Sequence, residues 1–397
     1  MPKTKQATEQ AARLKIYTPQ LDVLEERLLE WIEQDKYQAM VIKATRFGVP
    51  IFEGCYGTST NGSGVKLDTI FPVFSDTKPV LAVLIMILLD EGRLELKDNL
   101  YNFIPEYHTD NRWGITLANL LTHTSGVDEE FFKSVENYIK DELKIERPER
   151  GSPEKNWDKY NSDLKKAMEL TEDVSDGKVW EAVSLRVNMN HWPGQYMYYG
   201  NYSYDRLRDV ICVITGESID SYAKRVLFEP LGMVDSYWIL PKEKYSRVLG
   251  RNERCTGYDW INSERCFSNE GGGNGLKTTV DDMTRFCGMI LGRGRYNDKR
   301  ILSPASIREM TSDYNSQLSS ANPWDAWGLG WNYRGTKVDD AGILRSPNSV
   351  EHGGWAGHKC MVDPERGISV TIFTAEYREN SFGDFGAINN MIIAACE

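Results

Sequence analysis

Apolar positions recur at helical spacing over residues 21–32, at Leu21, Leu24, Leu28, Trp31 and Ile32, and predict an amphipathic helix near the start of the chain. Two short β-prone segments follow, 39–44 and 50–56, on either side of Phe47-Gly48-Val49, and these predict a hairpin. The far end of the chain has the same character. Segments 327–333, 358–362 and 368–375 carry strand patterns, the last two joined by the turn Asp363-Pro364-Glu365-Arg366-Gly367, and 385–395 closes as a helix. Between these ends, from about residue 90 to 282, helical patterns and long loops dominate. The stretch 140–166 is strongly charged and poor in apolar positions, and reads as a solvated helix, an insertion or a lid. No internal repeat is visible.

The expected fold class is therefore α+β, a sheet built from both chain ends and flanked by helices, with a mainly helical region inserted. The expected division is a discontinuous sheet domain, 1–90 with 283–397, and a helical domain, 91–282, carrying the charged insertion around 128–185.

Composition narrows the function classes. With 397 residues, 41% of them hydrophobic and 11% aromatic, the chain can bury a substantial core, so global disorder is not expected. A net charge of −11 argues against nucleic acid or an anionic membrane as partner, and suits a small-molecule substrate. The longest apolar run, 80–89, falls short of the roughly 20 residues that span a bilayer. The opening MPKTKQATEQAARLKIY has no apolar core of the signal-peptide kind. Seven cysteines without a C-x-x-C indicate neither a zinc site nor a thioredoxin-like pair. Reduced thiols in a cytoplasmic protein are the expectation, with secretion and a Cys255–Cys266 bridge as the alternative. The five histidines lack metal-ligand spacing, and no cofactor is expected.

Candidate chemistry begins with Ser-x-x-Lys, which occurs six times, from Ser63, Ser75, Ser152, Ser162, Ser175 and Ser221. A hydroxyl becomes a useful nucleophile only when something removes its proton. If a helix starts at the serine, the lysine at i+3 lies on the same face one turn on. Burial and the positive end of the helix dipole then lower its pKa towards that of a base. Ser75 alone has this setting. It follows the β-prone Ile70-Phe71-Pro72-Val73-Phe74 and precedes the apolar run 80–89, which ends near Gly92, a C-cap candidate. Pro79 falls in the first turn, where its missing N–H costs little. The other five serines lie in a Gly-rich loop, in polar stretches or turns, or on an ordinary amphipathic helix.

A phenol to carry the proton onward is offered by Tyr199-Gly200-Asn201, the one Tyr-x-Asn among the 20 tyrosines. It lies between the turn Trp192-Pro193-Gly194 and a helix expected over 204–215. Tyr199 near Lys78 would accept the Ser75 proton, and Asn201 would hold the substrate or fix Lys78. Competing assignments are weaker. His123 in LLTHTSG reads as a loop anchor. Gly271-Gly272-Gly273-x-Gly275 lacks the Lys-Ser/Thr of a phosphate loop. A triad of Ser125, His352 and Asp281 or Asp282 has no Gly-x-Ser-x-Gly elbow behind it.

With these motifs in order, the chain resembles the serine β-lactamase and penicillin-binding-protein superfamily, in particular its class C β-lactamase-like, family VIII esterase-like branch. Ser75-Asp76-Thr77-Lys78 and Tyr199-Gly200-Asn201 carry the resemblance, supported by ITLANLLTHTSGV at 115–127, GGGNGLKTTVDDMTRF at 271–286 and WGLGW at 327–331. It implies a β-lactamase/transpeptidase-like fold with an antiparallel sheet, catalytic Ser75, Lys78 and Tyr199, and an oxyanion hole from the backbone N–H groups of Ser75 and Trp355. The third motif departs. Where the family's β-lactamases carry Lys-Thr-Gly, this chain has His352-Gly353-Gly354, losing the cation and hydroxyl that resemble a carboxylate-binding pair. The glycines would let the strand approach the substrate closely. Trp355, Tyr196, Tyr198 and Trp331 are candidates for an apolar acyl pocket or for plain packing. The expectation is an ester-cleaving serine hydrolase acting on an uncharged small-molecule acyl substrate. An amide-directed enzyme (β-lactamase, D-Ala-D-Ala carboxypeptidase or D-aminopeptidase) or an acyltransferase is the alternative, and a non-catalytic relative comes last.

Overall fold

The computed structural model describes residues 5–149, 152–252, 259–318, 325–376 and 383–396. Helix α1 (Thr18–Glu33) buries Leu21, Leu24, Leu28 and Trp31, the face that the spacing predicts. Strands β1 (Ala39–Arg46) and β2 (Val49–Gly57) form the expected hairpin. Its turn places Phe47 (φ +49°) and Gly48 (φ +76°) in the left-handed region, the geometry that matches strand twist in a two-residue loop.

Helix α2 (Thr77–Asp90) is buried from Thr77 to Leu88 and forms the centre of the main core. Gly92 ends it at φ +68°, with the Gly92 and Arg93 N–H groups donating to the Leu89 and Leu88 carbonyls. The helical middle comprises α3 (Leu117–Leu121), α4 (Glu129–Asp141), α5 (Glu154–Ala167), α6 (Asp176–Ser184) and α7 (Tyr202–Thr215). The charged stretch 140–166 folds as the end of α4, a connector and most of α5. Its few apolar residues, Tyr160 and Leu164, join the main core, and the charges are left outside.

Helix α8 (Val280–Leu291) precedes the remaining strands, β3 (Asn332–Tyr333), β4 (Val350–Gly354), β5 (His358–Asp363) and β6 (Ile368–Thr374), and α9 (Asp384–Ala394) follows them. The sheet runs β2-β1-β6-β5-β4-β3, antiparallel throughout. Both faces are covered. Met40, Ile42 and Ala44 of β1 pack with α1 and α9, whereas Ala39 and Val41 face the cluster that holds α2 and α8. Burial on both sides is why β1 opens with the apolar run Ala39-Met40-Val41-Ile42 and not with an alternation.

One strand expectation is corrected. Of 327–333, only Asn332–Tyr333 is a strand. Trp327 bridges to Asn332 across a tight turn, because Gly330 takes φ +85° to pass over α2, where a side chain would come within 2.6 Å of Ala82 Cβ. Among the described residues no helix is long and apolar enough to cross a membrane.

Candidate active site

The chain enters the site through Phe71–Pro72, which pairs with Lys277–Thr278, and through the Val73 N–H, which donates to the Leu276 carbonyl at 3.0 Å. A 3-10 turn, Phe74–Asp76, then leads into α2. Phe74 sits at φ +50°, a conformation that costs about 1–3 kcal/mol in a non-glycine residue and persists only where packing enforces it. The packing is aromatic, with the Phe74 ring edge-on to Trp260 at 5.5 Å and to Trp355 at 5.7 Å. Thr77 Oγ1 donates to the Phe74 carbonyl and accepts the Leu276 N–H at 3.0 Å. The result is a serine held, half-buried, at the mouth of a buried helix, with Asp76, Thr77 and Lys78 beneath it.

Lys78 Nζ donates to Ser75 Oγ at 3.0 Å, to Asn201 Oδ1 at 2.8 Å and to the Gly273 carbonyl at 3.0 Å. Burial brings its pKa down to about 7, against the pull of Asp205 and Asp76, whose charges favour the ammonium. A lysine that exchanges its proton near neutrality and touches a hydroxyl has the properties of a general base. Perturbation alone is not the mark of the site. Lys277 is also buried and also lowered to about 7, but its ammonium anchors a loop by donating to the Trp238 and Asn269 carbonyls.

The Tyr199 ring lies over the Lys78 ammonium, 4.7 Å from Nζ to the centroid, and is 42% exposed. His123 sets its loop. The His123 carbonyl accepts the Tyr198 N–H at 2.9 Å, Nδ1 accepts the Gly200 N–H at 3.4 Å, and the imidazole packs on Tyr199 at 4.7 Å. Burial, with Lys78 and His352 nearby, holds the His123 pKa well below the usual imidazole range, so the ring is neutral and can accept. It is the loop anchor that the sequence implies.

A cavity of about 260 Å³ opens beside these groups, walled by Met197, Tyr199, Trp327, His352 and Gly353. Asp325, Asn332 and Glu351 complete the wall. Gly354 brings β4 against the nucleophile turn so closely that a Cβ there would lie 2.3 Å from the Val73 carbonyl oxygen.

A family model described as Beta-lactamase matches residues 24–395. The chain belongs to the Beta-lactamase family. The resemblance to the serine β-lactamase and penicillin-binding-protein superfamily therefore holds, and with it the fold class. Protein Rv1367c of Mycobacterium tuberculosis is 27% identical over 281 residues, covering 64% of this chain and 61% of that protein. A putative D-alanyl-D-alanine carboxypeptidase of Escherichia coli is 22% identical over 211 residues, 48% of this chain and 47% of that one. The chain thus spans under two thirds of either relative. The D-alanyl-D-alanine-carboxypeptidase/endopeptidase AmpH of Escherichia coli K12 is 25% identical over 327 residues, 80% of this chain and 74% of the other. Among solved structures, the simvastatin synthase LovD of Aspergillus terreus superposes with a TM-score of 0.71 at 17% identity, covering 94% of this chain and 98% of that one. The octameric penicillin-binding protein homologue of Pyrococcus abyssi gives 0.65 at 21% identity, covering 94% and 77%. At these identities the likeness is one of fold.

In this Beta-lactamase-family site the structure brings Ser75, Lys78 and Asn201 into direct hydrogen bonding and lays Tyr199 over the lysine. His352 and Gly353 stand in the cavity wall. Trp355 is not among the cavity's lining residues; it packs on Phe74 beside Ser75. The other aromatic candidates for an acyl pocket also turn away. Trp331 is fully buried and stacks on Phe286, Tyr198 packs on Phe132 and Tyr196 on His191. Met197 and Tyr199 line the cavity instead.

Several contributors carry no signal of their own in the sequence. The Gly273 carbonyl completes the Lys78 shell, and a side chain at Gly273 would come within 2.6 Å of Asn201 Oδ1. The Gly-rich run was the visible trace of that close approach. Asp205 accepts the Gly272 N–H at 2.8 Å and so holds the run in place. Lys359, opposite Gly353 on β5, places a second cation beside the third motif, but it is buried and paired with Glu351 at 2.9 Å and Asp340 at 3.4 Å. Cys266 is a free buried thiol, and Cys255 lies outside the described residues.

Because Lys78 touches Ser75 directly and the phenol is partly solvated, Tyr199→Phe is expected to lower turnover by roughly tenfold or more, less than loss of the lysine. Steady-state kinetics on a neutral ester, with circular dichroism as the folding control, checks this. Unchanged turnover would remove the phenol from the proton path.

Proposed function

We propose that this protein is a serine hydrolase that cleaves carboxylic esters of uncharged small-molecule acyl groups through a Ser75 acyl-enzyme. One observation carries the reading. Ser75 Oγ is 3.0 Å from the Nζ of a fully buried lysine whose pKa lies at about 7. Neutral Lys78, with Tyr199 beside it, takes the Ser75 proton as Oγ attacks the acyl carbon, and returns it to the departing alcohol oxygen. Water, activated by the same pair, then releases the acid. The Ser75 and Trp355 N–H groups are the proposed oxyanion donors.

The preference for an uncharged substrate is supported by the cavity wall. Asp325 and Glu351 contribute carboxylates, no lysine or arginine lines the cavity among the described residues, and the nearby Lys359 is paired with Glu351. Among those residues a substrate carboxylate does not meet the lysine and hydroxyl of the family's third motif. Free thiols at Cys55, Cys212 and Cys287 agree with a reducing, cytoplasmic setting.

Two measurements test the reading. Fluorophosphonate labelling with mass-spectrometric mapping is expected to modify Ser75 and none of the other five Ser-x-x-Lys serines. A panel of p-nitrophenyl esters is expected to turn over far faster than nitrocefin or a D-Ala-D-Ala peptide. Nitrocefin or peptide as the better substrate would favour the amide-directed reading set by the carboxypeptidase relatives. Product formed only when an alcohol or amine acceptor is added would favour acyl transfer.

A further inference from the structure

Asp76, immediately after the proposed nucleophile, has no part in the chemistry so far, yet its side chain is fully buried. A buried carboxylate is costly unless opposite charge or donors meet it. The turn that presents Ser75 at the mouth of α2 sends Asp76 into the interior against β4 and β5. Its Oδ1 lies 3.6 Å from His352 Nδ1 and 3.9 Å from Cys360 Sγ, and His352 and Cys360 are cross-strand partners. His352 Nδ1 is also 3.2 Å from the Gly353 carbonyl. With a carboxylate and a carbonyl before it, that nitrogen carries the proton. The ring thus fixed stands in the cavity wall, 6.1 Å from Tyr199 and 5.6 Å from Trp327 between centroids. Two residues along the chain, the same carboxylate acts on Lys78. One buried carboxylate therefore faces the histidine that stands in place of the family's third-motif lysine, and its charge also reaches the proposed base.

We propose that Asp76 is a positioning residue whose carboxylate, facing the Nδ1 side of His352, orients that ring by its charge and stabilises the ammonium formed as Lys78 takes the Ser75 proton. It rests on the Ser75 and Lys78 assignments above. The proton moves from Ser75 Oγ to Lys78 Nζ as the Oγ–acyl bond forms, and goes to the alcohol oxygen as the ester bond breaks; Asp76 remains ionised and exchanges nothing. Among the described residues, the titratable groups near Asp76 include His352 on β4 and Cys360 on β5, with Cys287 on α8 and Glu351 on β4 beyond Cys360, and its charge is also felt by Lys78 on α2. Asp205 on α7 faces Lys78 as a second, stronger anion.

Asp76→Asn removes the charge and keeps the shape and an acceptor oxygen. With a neutral p-nitrophenyl ester, plateau kcat is expected to fall about tenfold with KM within about threefold, and the acid limb of kcat/KM to move down by about half a pH unit or more. The sign follows from Lys78: loss of an anion disfavours its protonated form, so the base stays neutral to lower pH. Asp76→Ser carries the same expectation should the asparagine variant not fold, as judged by near-ultraviolet circular dichroism. A residue that only supports packing would lower activity without moving the limb, and an unmoved limb in a folded variant overturns the proposal. Fluorophosphonate labelling separates this failure from the deeper one. If the unaltered protein labels at Ser75, an unmoved limb sinks the Asp76 role alone; if Ser75 is not labelled, both readings fall.

Discussion

Lys78→Met loses on the order of 10³-fold in turnover on a neutral ester, with the fold intact. The basis is the 3.0 Å contact with Ser75 Oγ and a pKa at about 7, which together give Lys78 direct access to the hydroxyl proton near neutral pH. Positioned general bases contribute about 10²–10⁴-fold, and the direct contact sets the upper part of that range. In the unaltered protein kcat/KM is expected to rise with pH through about 7 as Lys78 loses its proton, and this limb is expected to disappear in the variant. Stability has the same sign of pH dependence. The folded lysine has a pKa below that of the unfolded chain, so between about 7 and 10.5 the unfolded state binds more protons and stability rises with pH. The slope contributed by one such group is at most about 1.4 kcal/mol per pH unit. Lys78→Met lacks this slope, so any stability it gains over the native protein at pH 7 shrinks by pH 9. Denaturant melts at the two pH values, set beside the kinetics, check both halves. A variant that keeps near-normal turnover would remove Lys78 as the base.

Placing a cation and a hydroxyl back into the third motif is expected to change substrate class. His352→Lys with Gly353→Thr should raise kcat/KM for nitrocefin relative to a short-chain p-nitrophenyl ester by about 10- to 100-fold, since each charge-assisted hydrogen bond contributes about 1.5–3 kcal/mol. The backbone needs only a small adjustment. A Cβ at Gly353 would lie 3.3 Å from the His358 carbonyl oxygen, so β5 must give by a few tenths of an ångström, whereas at Gly354 a Cβ would lie 2.3 Å from the Val73 carbonyl oxygen. Asp76 faces the same position and would share the new ammonium, which sets the gain towards the lower end. The ratio of the two substrates, measured on one preparation, is the readout. No rise in the ratio would mean that the third motif does not govern carboxylate recognition here.

Much of this site was legible because its signals are local. Ser75 stood out from five other Ser-x-x-Lys serines through the apolar run after it, which is a helix buried from Thr77 to Leu88. Tyr199-Gly200-Asn201 was legible because the triplet precedes a helix that fixes it. What stayed hidden acts through backbone or across the sheet. A carbonyl such as that of Gly273 has no side-chain identity to read. The pairing of Asp76 with His352, or of Lys359 with Glu351, depends on register between segments far apart in sequence. The misread strand at 327–333 has a similar cause, because an aromatic and glycine run reads as extended until α2 is packed beneath Gly330. For Trp331, Tyr196 and Tyr198 the sequence left pocket wall and plain packing both open for the same reason: aromatic residues announce burial but not which side they face.

The pairing of β1 with β6, Met40 opposite Thr374, has a kinetic consequence. As the chain leaves the ribosome, the β1–β2 hairpin has one edge open, and the strand that covers it emerges only after the whole helical middle has been made. Until then a strand that begins with four apolar residues waits unpaired on one side, which is the situation in which chains aggregate or recruit a chaperone. Closing so long a loop is slow, because its entropy is lost before any of the new contacts form. The hydrolytic site must wait as well, since β4 reaches the Ser75 turn only when the sheet is assembled from its far side. Refolding from denaturant should therefore show early helix formation, with ester turnover returning in a later, slower phase.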